Sequence, residues 1–353
     1  MKTPSIDLII SILIGCYILC SCSGTPQLIG TGEGQIELNY GQYGYLLYKM
    51  FNIMDTSYVY ADMSDTQMKD LRQKYMKKIN KSSSSEDFVE IVQSIFNEVK
   101  DPLLSMYTGK KSIRYEMPRP GDVQSMLYAR TFDTYAVKDY KEIDAFFVHH
   151  ICKTNAAGEE EGNYILISFS NAYEKVPKQR VDSLIYAMKE ENPSGYIIDL
   201  RSSGNIVGFE GFVDFFSYFY PSKGGLYYLK SLHSVDEMSF IGKNTIGENT
   251  SVYIIVNEGT VGLYNIAAYV LSSLPNVKIV SRSQSGGYGA ICRTICLSQI
   301  SNVYFTYPVI DVGNKEAESF YYPLRPDINV DWEGNTVFGR YDKCVEAAIY
   351  ANN

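Results

Sequence analysis

Between residues 40 and 100 the apolar positions recur at helical spacing. Tyr45, Leu46, Tyr48, Met50, Phe51 and Met54 predict one helix, and Ser64 to Ile79 predicts a second, amphipathic and charged. The run Ser82 to Ser85 is a turn, and Ser85 is positioned to cap a third helix, Glu86 to Val99, which Asp101-Pro102 ends. Residues 110 to 160 carry less periodicity; Phe146-Phe147-Val148 predicts a strand and Ala156 to Gly162 a turn. From residue 163 the pattern changes. Tyr164 to Phe169 and Gly195 to Leu200 are strands, the second apolar at nearly every position, as burial on both faces requires. Helices are predicted over Val181 to Glu191, Gly208 to Tyr220 and Tyr264 to Leu274. Further strands are predicted over Ser251 to Val256 and Val277 to Val280, and one or two antiparallel strands over Cys292 to Tyr307. This alternation predicts an α/β core, a mixed sheet with crossover helices, over residues 111–353, preceded by a small helical subdomain over 40–110.

Residues 1–22 have the pattern of an export signal. Lys2 supplies a positive start, and Leu8 to Leu19 is an apolar run too short to span a bilayer as a helix. Leu19-Cys20-Ser21-Cys22 resembles a bacterial lipobox, which implies lipidation of Cys22; the other reading is a plain signal peptide cut nearby. Residues 23–39, rich in glycine, predict a flexible tether. Together these imply an exported chain, lipid-anchored in the cell envelope, that meets the membrane only through its anchor.

Composition narrows the chemistry. A net charge of −8 disfavours nucleic acid and anionic surfaces as partners. The 31 tyrosines against one tryptophan fit β-rich packing with half-buried rings. His149, His150 and His233 are the only histidines and none has metal-ligand spacing, so no metal or other cofactor is expected. Cys292 and Cys296, four apart in a strand, stand about 13 Å apart, too far for a mutual disulfide. With Cys152 and Cys344 they are expected to be buried structural thiols.

Four segments, in order, resemble the tail-specific or C-terminal processing serine proteases, relatives of tricorn protease and the interphotoreceptor retinoid-binding modules. They are Asn163 to Ser170 (NYILISFS), Gly195 to Asn205 (GYIIDLRSSGN), Ser251 to Val280 (SVYIIVNEGTVGLYNIAAYVLSSLPNVKIV) and Tyr321 to Val330 (YYPLRPDINV). Val99 to Leu104 (VKDPLL) is similar to the LKDGHT stretch of some members. The resemblance covers roughly residues 40 to 350 and implies a ClpP/crotonase-like core. No segment has room for the inserted PDZ domain that many members carry.

Carried over residue by residue, the resemblance implies lost catalysis. The nucleophilic serine of the T-A-S turn falls on Gly262 in Thr260-Val261-Gly262, and neither neighbour, Val261 or Leu263, could serve instead. The turn's acidic residue is Asn265 here. The lysine base falls on Gly287, with no lysine between Lys278 and Lys315, and the histidine of D-G-H-T falls on Leu103 after Asp101. Ser203-Gly204-Asn205-Ile206 keeps the oxyanion glycines only in part. A vestigial groove is expected around Asp199, Arg201, Gly204, Asn205, Thr260, Gly262 and Asn265, with Asp199 and Arg201 in a structural ion pair or cap.

Three functions follow for weighing. The first is a non-catalytic lipoprotein that binds an extended peptide or protein ligand. The second is an active serine-type peptidase with a rebuilt site, for which Ser283 and Ser285 have no visible base. The third is a scaffold that assembles with active partners.

Overall fold

A computed structural model describes residues 40–59, 65–109, 111–115, 135–143, 146–154, 157–169, 178–201, 214–222, 224–315, 317, 319–331 and 342–351. Cys22, the export signal and the tether, and Gly204 and Asn205 of the expected groove, lie outside the described residues.

Three helices come first: α1 (Tyr40–Ser57), α2 (Asp65–Met76) and α3 (Ser85–Val99). The cap of α3 is Ser84, one residue before the serine that the sequence suggested. Asp87 explains the choice: its amide donates to Ser84 Oγ at 3.1 Å and its carboxylate accepts from the Ser84 amide at 2.7 Å. Had Ser85 been the cap, the reciprocal position would be Phe88, which has no acceptor.

Two sheets follow. The first has the order β3-β4-β5-β6-β9-β10-β13. Its strands are β3 (Tyr135–Ile143), β4 (Phe146–Thr154), β5 (Glu160–Phe169), β6 (Gly195–Asp199), β9 (Ser251–Ile255), β10 (Val277–Ser281) and β13 (Ile328–Asn329). From β5 to β13 all pairings are parallel, while β3 and β4 are antiparallel additions at one edge. Parallel strands need crossovers, supplied by α4 (Lys178–Glu190) between β5 and β6 and α5 (Leu263–Ser272) between β9 and β10. Ile165, Ile167, Ile198 and Ile254 pack on one face against Val181 and Ile185 of α4 and Ala268 and Leu271 of α5. Leu166, Ile197, Tyr253 and Ile255 pack on the other against Val345, Ala348 and Ile349 of α6 (Lys343–Tyr350). Burial on both faces is why these strands are apolar almost throughout.

The second sheet was largely illegible beforehand. Its order is β2-β1-β12-β7-β8, with β11 on the other edge of β12. The strands are β1 (Ser105–Thr108), β2 (Ser112–Arg114), β7 (Gly225–Lys230), β8 (Val235–Phe240), β11 (Ala290–Ser298) and β12 (Val303–Asn314). The three N-terminal helices cover it: Leu46, Met50, Phe51, Val92, Ile95 and Phe96 share one cluster with Met106, Val303, Phe305 and Tyr307. Each such side chain contributes about 1.5–3 kcal/mol on burial. The expected helix over Gly208 to Tyr220 is described only from Asp214, where a short helical segment runs to Ser217. No helix among the described residues is long and apolar enough to cross a membrane.

One buried titratable group couples this fold to pH. His149 on β4 is 4% exposed, and burial, reinforced by neighbouring His150, pushes its pKa down to about 4. The unfolded chain binds that proton more readily, near pH 6.5. Stability from neutral His149 is therefore complete above about pH 6.5 and declines as pH falls toward 4, a loss on the order of 2–3 kcal/mol. In urea titrations across that window, His149→Gln is expected to show a flatter dependence than the parent chain.

Candidate functional site

The site forms where β9 gives way to α5. Thr260, fully buried, donates its hydroxyl to the Leu200 carbonyl at 2.9 Å and accepts from the Asn257 amide at 3.0 Å. Asn257 in turn accepts at Oδ1 from the Gly259 amide at 2.8 Å. These bonds fasten the turn to the end of β6 and deliver Gly262 to the N-cap of α5. Gly262 has φ 60° and ψ −127°, a region that favours glycine, and its amide donates to the Gly287 carbonyl at 3.3 Å.

Leu103 faces it. A Cβ added at Gly262 would stand 3.0 Å from Leu103 Cδ2. Leu103 is held there by Asp101, whose Oδ1 accepts from the Leu103 amide at 2.7 Å and whose Oδ2 accepts from the Tyr58 hydroxyl at 2.7 Å. Burial, and then the Asp101 charge, raise the Tyr58 phenol well above its usual pKa. The structure thus brings together Gly262 and Leu103, 159 positions apart, and fills the space between them with leucine methyls.

Gly287 is closed in a different way. It has φ 81°, and a Cβ there would overlap the carbonyl oxygen of Tyr321. The cause is a backbone zip. Ser285 donates to the Leu324 carbonyl at 2.9 Å, Tyr288 to Tyr321 at 2.7 Å and Gly289 to Phe320 at 2.9 Å. Asn265 locks it: Nδ2 donates to the Phe320 carbonyl at 2.7 Å, and Oδ1 accepts from Ser285 Oγ at 2.5 Å. Ser285 Oγ also accepts from the Leu324 amide at 2.7 Å. Both Asn265 and Ser285 are buried, and the Ser285 hydroxyl bonds to an amide with no basicity to offer.

Asp199 and Arg201 form an ion pair, joined by a residue the sequence did not point to. Arg201 donates Nε to Asp199 Oδ1 at 2.9 Å and Nη2 to Asp199 Oδ2 at 2.6 Å; Nη2 also reaches Asp342 Oδ2 at 2.6 Å. Burial alone would lower the guanidinium pKa, but the two carboxylates outweigh it and hold Arg201 charged. Asp342 is also the N-cap of α6, accepting from the amides of Cys344 at 3.0 Å and Val345 at 3.3 Å. An Asp immediately before a helix was the only signal available for it.

The four thiols among the described residues are unbridged. Cys152 and Cys344 are buried, whereas Cys292 and Cys296 are only half-buried, a correction to the expectation for those two. Burial and then the nearby Asp101 charge raise the Cys292 thiol, which keeps it protonated and inert. Among the described residues no group of three His, Cys, Asp or Glu is placed to hold a metal ion.

The mixed α/β fold is similar to that of a solved candidate peptidase. In sequence, residues 44–97 match the tricorn protease C1 domain family. The chain is similar in structure to a candidate peptidase from Parabacteroides merdae ATCC 43184, with 17% identity, a TM-score of 0.64, and 88% of this chain and 96% of that one covered. It is similar to mature CPAF, with 8% identity, a TM-score of 0.59 and coverage of 88% and 96%. A lipoprotein from Streptococcus agalactiae matches with 14% identity, a TM-score of 0.51 and coverage of 85% and 95%. No curated protein matches the chain in sequence.

Substitutions measure how tightly the site is set. Gly262→Ala is expected to destabilise by about 1–3 kcal/mol, since it combines positive φ with the Leu103 contact. Leu103→Ala is itself destabilising because Leu103 is buried, but in that background Gly262→Ala should cost less than in the parent chain, a coupling that a double-mutant cycle of urea titrations reads. Arg201→Met strands two buried carboxylates and is expected to cost about 3–5 kcal/mol in urea denaturation. Asp55→Ala, which breaks the half-exposed pair with Arg72, should cost less than about 1 kcal/mol.

Proposed function

We propose that this chain is an exported, lipid-anchored protein of the cell envelope that keeps a tail-specific peptidase fold without its chemistry, and that it serves by binding an extended peptide or protein. The observation that carries this is the contact of Gly262 with Leu103. The nucleophile position has no side chain, the histidine position is an apolar plug, and the lysine position has no room for a Cβ. Hydrolysis by this fold requires a hydroxyl, a base and an oxyanion hole together. Loss of the nucleophile and base removes several powers of ten in rate.

Ser285 offers no substitute, being buried in the Asn265 lock. The surviving members of the expected groove have structural duties instead: Thr260 ties the turn, Asn265 locks the zip, and Asp199 and Arg201 join β6 to α6. Support for the envelope location comes from Leu19-Cys20-Ser21-Cys22 and from the similar fold of a protein described as a lipoprotein.

A fluorophosphonate probe and a casein turnover assay test the reading on the purified protein. No labelling and no turnover are expected, and Gly262→Ser should not restore either, because Leu103 and Gly287 still supply no base. Turnover that survives Gly262→Ala but is lost in Ser285→Ala would establish an active, rebuilt peptidase instead. Growth with an alkyne fatty acid is expected to label the parent chain and not Cys22→Ala.

A further inference from the structure

Apolar surface left in water concentrates in one place. Among the described residues, five large aliphatic side chains are exposed, and four of them, Leu226, Leu232, Val235 and Ile241, lie on or beside the β7–β8 hairpin. Val235, the most exposed of the four, is 63% exposed. The hairpin is not loose. Tyr227 is buried, pairs its hydroxyl with Tyr220 at 2.8 Å and packs edge-on against Phe320. β7 is laddered to β12 from Lys230↔Asp311 to Tyr227↔Asn314. A rigid element with a greasy outer surface is an interaction feature rather than a frayed end.

Its outer edge has hydrogen-bonding capacity to spare. β8 pairs with β7 in the register Val235↔Lys230 to Phe240↔Gly225, and no other strand among the described residues pairs with it. The phase of the ladder is set at the turn, where the Ser231 amide donates to the Ser234 carbonyl at 2.9 Å. Antiparallel pairs alternate, so Asp236, Met238 and Phe240 spend their backbone groups on β7. The amides and carbonyls of Val235, Glu237 and Ser239 point outward, three residues at a two-residue repeat, ready to receive a strand.

Charge selects what that strand is. Asp236 and Glu237 are both exposed and neither makes an ion pair among the described residues; Asp236 accepts from Ser234 Oγ at 3.1 Å. A second copy docking edge to edge in antiparallel register would set Glu237 directly opposite Glu237 of its partner and Asp236 opposite Met238. Like charges directly opposed across a strand pair are destabilising. Successive residues face opposite sides of the sheet, so an incoming strand with Lys or Arg on the Asp236 side and apolar residues on the side of Val235 and Leu226 satisfies both features at once. We infer that the outer edge of β8 is a docking strand for an extended peptide that alternates apolar and basic residues, added to the sheet by β-augmentation. This surface is separate from the closed turn at Gly262 and stands whether or not that turn takes a ligand.

Fluorescence anisotropy with a labelled heptapeptide of alternating Val and Lys, against one of alternating Val and Glu, tests it on the intact protein. The Val/Lys peptide is expected to bind at least tenfold more tightly, and more weakly as salt rises. Glu237→Pro removes an outward amide and leaves the β7 ladder intact, so at least a tenfold loss is expected with an unchanged melting temperature. The double variant Asp236→Lys, Glu237→Lys should reverse the preference toward Val/Glu, and it decides the matter if the proline variant does not fold. Equal binding of the two peptides, or affinity unchanged in the charge-reversed variant, overturns the inference. So does sedimentation showing a dimer of the parent chain that Glu237→Pro dissolves, which would assign the edge to a second copy.

Discussion

The backbone zip between residues 285–289 and 320–324 is the constraint on which the rest of the site depends. It brings two loops into direct main-chain contact, and Asn265 and Ser285 seal it with buried hydrogen bonds to both sides. Such a contact admits glycine and little else at its closest point, which is why Gly287 stands there. The bridge from Gly287 to Val261 then fixes the start of α5, and with it the strained conformation of Gly262. A side chain long enough to act as a base could enter only if the zip opened, at the cost of several buried hydrogen bonds. The zip, the glycine at its closest point and the start of α5 are therefore one arrangement.

The same economy appears on the other side of the turn. Asp101 spends both carboxylate oxygens, one on Leu103 and one on Tyr58. An acid in this setting anchors an apolar plug and a buried phenol held protonated. Asp199, Arg201 and Asp342 likewise satisfy one another within the protein interior. Buried charge in this molecule is used for fixing geometry.

How much could be read in advance depended on burial. The parallel strands β5, β6, β9 and β10 are apolar on both faces, so their sequences stand out, and α5 follows β9 with an unbroken helical pattern. Gly262, Gly287 and Leu103 stood out as residues with no proton to exchange; the structure places Gly262 against Leu103 and Gly287 against the Tyr321 carbonyl. Of the second sheet, β11 and β12 were legible and β1, β2, β7 and β8 were not. β8 reads Val-Asp-Glu-Met-Ser-Phe, an edge strand with one wet face, and β7 begins at a glycine and mixes Tyr with Leu. Neither has a period strong enough to stand against its surroundings. The partner of Arg201 was invisible for another reason: Asp342 is 141 residues away, and no local pattern encodes a contact at that separation. Ser84 over Ser85 turned on which serine has an acid three residues later.

That distant contact also governs when the protein can fold. One face of the parallel sheet has no cover until α6 arrives, and Arg201 has only one of its two counter-charges until Asp342 does. A chain emerging in order from its N-terminus therefore lacks these contacts until residues 342–350 are available, and non-local closure of this kind is slow. Until then an apolar face of the sheet stays open to whatever surface it meets.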